Sequence, residues 1–214
     1  LIVDDTLAHG DPQLLHALSL HPNAEVRIYN PVLNIGVPLG QKIRNVFGRF
    51  NLVNRRMHNK LFIADSQVAI TGGRNIGGEY FDLANENNFR DRDVLLVEGE
   101  VAEAQKSFEE FWADPLTQPI ESLLDRPLPY APEVVWGKLN QFSCNPENFL
   151  PMLRNRIANV PETLQQRVAD GQLHASTDVH YISDEPAKNA STTLTGGGAA
   201  TDALINLVRE ATSS

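Results

Sequence analysis

The chain has 214 residues, 42% of them hydrophobic and 21% charged, which fits a folded soluble domain and excludes wholesale disorder. Its formal net charge of −9 makes it a poor generic partner for nucleic acid, because duplex binding runs on phosphate neutralisation by Lys and Arg. The single Cys144 rules out an intrachain disulfide, and no run approaches the ~20 apolar residues that a spanning helix needs.

Leu1 to Val3 reads as a short buried strand ending in Asp4-Asp5; starting mid-strand, it suggests a piece of a longer chain. Asp11-Pro12 forms a helix start, and Leu14, Leu15, Leu18 and Leu20 make an apolar stripe at helical spacing. Glu25 to Tyr29 is the next strand. This strand–helix–strand run predicts parallel pairing and an α/β fold, a mixed sheet flanked by helices. Residues 30–56 read as mostly irregular, with a short helix near 41–47.

Met57 to Ala64 reads as a strand, Asp65-Ser66-Gln67 as a turn and Val68 to Thr71 as the returning strand, together a hairpin. Gly72-Gly73 turns again, with Asn75 near a short helical piece. Asp93 to Val97 predicts another strand, and 101–112 a helix with Val101, Phe108, Phe111 and Trp112 on one side. Residues 115–175 are rich in proline and predict a connecting region with short helices at 120–125 and 162–169. His180 to Ile182 suggests a late strand, 191–200 a small-residue loop, and 201–211 an amphipathic helix capped by Thr201 or Asp202 that packs on the domain. The division is therefore 1–114 as the chemical unit, 115–200 as connection and 201–214 as a closing helix.

Basic residues are concentrated locally. Lys42, Arg44, Arg49, Arg55, Arg56 and Lys60 fall close together, and no Asp or Glu lies between Glu25 and Asp65. Such a stretch produces a positive field suited to an anionic substrate such as a phosphodiester. Within it, alternation along a strand would place His58 and Lys60 on one face and Asp65 on the other. The hairpin would then return Gly72, Gly73 and Asn75 to the same end. A phosphodiester reaction needs a nucleophile or acid, a cation against the phosphoryl oxygens and neutral donors. His58, Lys60 and Asn75 supply that set without a metal or other cofactor, Gly73 allows close approach of an anion, and Asp65 is better suited to bonding the turn. His9, His16, His21, His174 and His180 lack the spacing of a metal site.

The run H-x-K-x4-D-x6-G-G-x-N resembles the signature of the phospholipase D superfamily. The stretches HNKLFIAD, ITGGRNIGGEYFD and FRDRDVLLVEG are similar to its bacterial cardiolipin synthase branch. The resemblance covers Leu1 to about Trp112 and continues weakly through Tyr181 to Pro186 and the last helix, which look like the approach to a second half. It implies phosphatidyl transfer, including cardiolipin formation, through a phosphohistidine, with Lys60 and Asn75 on the phosphate. It also implies a downstream acid orienting the nucleophile: Asp93 first, then Asp91 and Glu86. The implied partners are a phospholipid and a bacterial inner membrane touched peripherally. Family enzymes use two motifs, and no second His-x-Lys occurs here, so the resemblance implies a missing second half or a dimer mate and an inactive isolated chain. The rival readings are a homodimeric single-motif nuclease or phosphodiesterase, and a non-catalytic anion-binding module.

Overall fold

A computed structural model describes residues 1–6, 12–48, 50–81, 88–97, 99–124, 127–172, 176, 179–188 and 198–211, the side chains of 50 and 51 excepted. Asp11, His9, Arg49, Glu86, His174 and most of the 191–200 loop lie outside the described residues. The fold is α/β, as the alternation of elements predicts, and is built on two three-stranded sheets.

In the first sheet β1 (Ile2–Asp4) pairs in parallel with β2 (Arg27–Tyr29), with α1 (Pro12–Ser19) as the crossover. Val26, Ile28, Ile35 and Ile120 are the buried centre, and Val3, Leu15, Leu18, Leu123 and Leu124 pack around them. The predicted leucine stripe is half right. Leu15 and Leu18 face this core, but Leu14 and Leu20 face solvent, since α1 is one short amphipathic turn pair resting on a small sheet. The third strand, β6 (Thr117–Pro119), comes from the region read as a connector and runs antiparallel to β2. Its proline is tolerated because the strand order β1-β2-β6 makes it an edge.

The second sheet is an antiparallel meander of β3 (Leu61–Ala64), β4 (Val68–Gly72) and β5 (Asp93–Val97). At the β3–β4 turn Asp65 and Ser66 take φ of 51° and 55°, and Gln67 N–H donates to the Ala64 carbonyl at 3.0 Å. One face of the sheet, centred on Ala69 and Leu96, packs on Val101 and Ala104 of α4 (Gly99–Ala113), with Val179 and Tyr181 at its margin. The other face presents Phe62, Ile70 and Leu95 side by side in register, all exposed.

The predicted strand over 57–64 begins only at Leu61. Met57 N–H donates to Asp4 Oδ2 at 2.8 Å, so its backbone is committed to a side chain rather than a ladder. The stretch 30–56 is more ordered than its glycines and prolines suggest. It contains α2 (Leu39–Gly48), which includes the expected 41–47 helix, and α3 (Phe50–Val53). A fully buried Asp5 organises its start, with Oδ2 accepting from Val32, Leu33 and Asn34 N–H and Oδ1 from Ile35 N–H at 2.7–3.1 Å. Asn30 Nδ2 then donates to the Leu52 and Arg55 carbonyls, which ties this loop to the chain entering His58.

Beyond β6 come α5 (Pro132–Cys144), α6 (Pro151–Ala158), α7 (Val160–Ala169) and α8 (Ala199–Glu210). The helix expected at 120–125 is only a 3-10 turn over Ile120–Ser122, whereas that at 162–169 lies within α7. α5 packs back on α1, where Trp136 Nε1 donates to the Ala17 carbonyl at 2.6 Å. The predicted strand at 180–182 does not form, because Tyr181 N–H donates to Glu100 Oε2 at 2.8 Å instead of to a neighbouring strand. α8 is capped differently from expectation: Gly198 is its N-cap, and Asp184 Oδ1 accepts from Ala200 N–H at 3.1 Å. Apart from that N-terminal contact α8 lies at the surface and buries none of its residues.

Candidate functional site

The site is assembled from the short run between α3 and β3. Asp4, at the end of β1 and 3% exposed, holds this run through Met57 N–H and an ion pair with Arg56, whose guanidinium also reaches Thr6 Oγ1. Thr6 adds its own N–H and hydroxyl to Asp4 Oδ1 at 3.0 and 2.7 Å. Residues 56 and 57 are thereby fixed, and the next side chains, His58 and Lys60, line a common cleft of about 260 Å³. Thr71 and Gly72 at the end of β4 supply another wall. Asn59 lines the same cleft, so the three side chains meet it along an anchored loop and not by strand alternation.

The electrostatics favour a neutral imidazole. His58 is held below its ordinary value first by partial burial, then by the Lys60 ammonium with Lys188 adding to it, against the opposing Asp4 carboxylate. Lys60 is also lowered by burial, opposed by Asp91 and Asp4, and its Nζ donates to the His58 carbonyl at 2.9 Å. Between an imidazole and an ammonium, the imidazole titrates nearer neutrality, so mutual repulsion leaves His58 free to act as a nucleophile.

The remaining predicted residues are placed as follows. Asn75 is not among the residues lining the cleft, and its amide donates to Tyr80 Oη at 2.8 Å. Gly73 sits where an added Cβ would run into the Asp91 side chain, so it brings the chain hard against that acid. Asp93 is not among the residues lining the cleft and takes Arg74 Nε at 2.6 Å, and Arg74 also reaches the Tyr80 and Asp91 carbonyls. Asp65 lies in the hairpin turn, at the far end of β3 from Lys60.

Two contributions to the site lie beyond what the sequence indicates. Asp4, a strand-end residue outside the cleft lining, is the carboxylate whose field acts on both His58 and Lys60. The segment Tyr181 to Glu185, with Lys188, forms the opposite wall, and an Asp184–Lys188 ion pair stiffens it. Only the weak resemblance of 181–186 to a family segment marked it; nothing in local spacing joins it to His58. Among the described residues no helix is long and apolar enough to cross a membrane.

Residues 12–112 match the family described as "Cardiolipin synthase, PLD-like domain". The chain is 37% identical over 128 residues to "Cardiolipin synthase C" of Escherichia coli K12, covering 59% of this chain and 26% of that protein. It is 38% identical over 114 residues to an "Uncharacterized protein" of Helicobacter pylori, covering 52% of this chain and 22% of that one, with the same figures in a second strain. The chain therefore spans about a quarter of the length of the curated relatives it matches. No solved structure matches it at a significant level. His58 and Lys60 lie inside the matched segment, and over residues 12–112 the comparisons support a cardiolipin synthase-like domain of the phospholipase D type.

Proposed function

We propose that this chain supplies the first half-site of a phosphatidyltransferase that moves a phosphatidyl group between alcohols, with cardiolipin formation as the reaction. The observation that carries the reading is the shared cleft of His58 and Lys60, with the imidazole biased toward its neutral form. An imidazole nitrogen of His58 attacks phosphorus and the P–O bond to the leaving alcohol breaks. A histidine of the second half-site gives that alkoxide its proton. The acceptor alcohol then attacks the phosphohistidine, loses its proton to the same second histidine and releases His58. Lys60 offsets the charge on the non-bridging oxygens through both steps.

Asn75 joins them as a neutral donor after leaving Tyr80, a tightening of the kind that bound substrates bring about in open sites. Gly72 and Gly73 keep the β4 end free of side chains where the head group approaches. Asp4, whose field acts on the imidazole, takes the role of the acid that steadies His58, in preference to Asp93. Residues 1–114, completed by β6, form the half-site unit; 115–200 connect; 201–214 lead toward the second half, from the same polypeptide or a dimer mate. The membrane is met peripherally, at the bacterial inner membrane.

The test is transfer from phosphatidylglycerol carrying labelled phosphorus, using this chain together with a second half-site, joined to it or as its dimer mate. The wild type is expected to accumulate an alkali-stable, acid-labile protein label during turnover, and His58→Ala to lose both label and product. Full turnover by His58→Ala would remove His58 from the chemistry. The isolated 214 residues are expected to show little or no turnover; brisk activity from a proven monomer would overturn the two-half requirement.

A further inference from the structure

Helix α2 is folded inside out. Its buried residue is Asn45, 3% exposed, whose Nδ2 donates to the Val32 carbonyl at 2.9 Å. Its apolar residues point away from the protein: Leu39 is 74% exposed, Ile43 53%, Val46 43% and Phe47 86%. At 3.6 residues per turn these four fall on one arc about 100° wide, with Lys42 bordering one side and Arg44 the other. A helix of a soluble domain turns such a stripe inward. Here the polar edge is pinned to the loop at Val32 and the apolar stripe is offered outward between two cations.

We infer that α2 is the surface by which this protein docks on an anionic lipid bilayer, its apolar arc entering the headgroup–acyl boundary and Lys42 and Arg44 meeting lipid phosphates. Charge selects this occupant. No acidic residue lies between Glu25 and Asp65, so the approach carries no repulsion from α2 itself, although the whole chain is at −9. Helix α8 is the informative contrast. It also exposes apolar side chains, Leu204, Leu207 and Val208 among them, but carries Asp202 and Glu210 against a single Arg209, and so lacks the charge an anionic surface attracts. An exposed arc of aliphatic and aromatic residues bordered by cations is the pattern of an interfacial helix, whatever its length.

The inference deepens the proposed phospholipid reaction and rests on it for its purpose, but its measurement is independent of catalysis. The 214-residue chain is floated with vesicles of phosphatidylcholine containing about 30% phosphatidylglycerol, and with pure phosphatidylcholine vesicles. Binding is expected to the anionic vesicles, to weaken as salt rises, and to fall at least about tenfold in Ile43→Ser/Phe47→Ser and in Lys42→Glu/Arg44→Glu. Leu204→Ser/Val208→Ser and His58→Ala are expected to bind like wild type, so that docking and chemistry fail separately. In a Phe47→Trp variant the new indole is expected to shift blue and to be quenched by brominated acyl chains. Because the substituted side chains are exposed, melting temperature and circular dichroism serve as folding controls. Absence of vesicle binding overturns the inference, as does binding indifferent to the α2 variants. So does an α2 variant that instead converts a stable dimer to monomer, since the arc would then be a contact between copies.

Discussion

Replacing Asp4 by Asn probes how the site is held. Asp4 is 3% exposed; its Oδ1 receives Thr6 N–H, Thr6 Oγ1 and Arg56, and its Oδ2 receives Met57 N–H. An asparagine keeps one oxygen for the three Oδ1 donors but turns its NH2 toward Met57 N–H, donor against donor. One buried amide left without an acceptor costs about 1–3 kcal/mol. Loss of the buried half of the ion pair adds to that, reduced because the Arg56 side chain is 22% exposed and rehydrates. The sum is about 3 kcal/mol, a large share of a typical domain stability of about 5–15 kcal/mol. Urea unfolding at neutral pH gives the loss, and a cycle with Arg56→Met separates the pair from the backbone bond. Hydrogen exchange at Met57 should quicken, and phosphate titration of the His58 resonances should weaken, because residues 56–57 set the entry to His58. A loss below about 1 kcal/mol with Met57 exchange unchanged would refute the anchoring role.

Other outcomes follow from single features. Asp5→Ala strands four backbone donors and should cost at least about 4 kcal/mol, read as collapse of near-ultraviolet dichroism or of soluble yield; Asp5→Asn should lie between it and wild type. Gly72→Ala would bring a Cβ within 2.5 Å of the Arg92 carbonyl oxygen and 2.8 Å of Asp93 Cα, so β4–β5 must part, at about 2 kcal/mol in a thermal melt. His58 is lowered from 6.5 in the folded chain, so near that pH the unfolded chain binds more protons. Stability is therefore undiminished by His58 above pH 6.5 and falls as pH drops through that range. His58→Gln should flatten this part of the stability–pH curve, and an unchanged curve would contradict the shift.

The parts legible in the sequence were those whose hydrogen bonds are local. The β3–β4 hairpin, β5 and α4 follow from alternation, a turn at Asp65-Ser66 and helical spacing, and the His-x-Lys pair was visible at once. Two of the departures share one cause, a backbone group whose partner is a remote side chain. Met57 bonds to Asp4 and so leaves the predicted strand, and Tyr181 bonds to Glu100 and so never forms one. β6 was hidden by brevity and a proline that only its edge position permits. The cleft wall at 181–185 is brought to His58 by tertiary packing, which periodicity does not record.

The row Phe62–Ile70–Leu95 leaves one side of the β3–β4–β5 meander apolar and exposed, at a sheet whose outer strands have no further partner strand among the described residues. Copies of the chain repel through their shared negative charge, and electrolyte shortens that repulsion to about 8 Å at physiological strength. Self-association through this plane should therefore grow as salt is added, whereas attachment of α2 to charged lipid should fade. One titration with sodium chloride thus moves these two surfaces in opposite directions, and tells a clumped sample from a docked one.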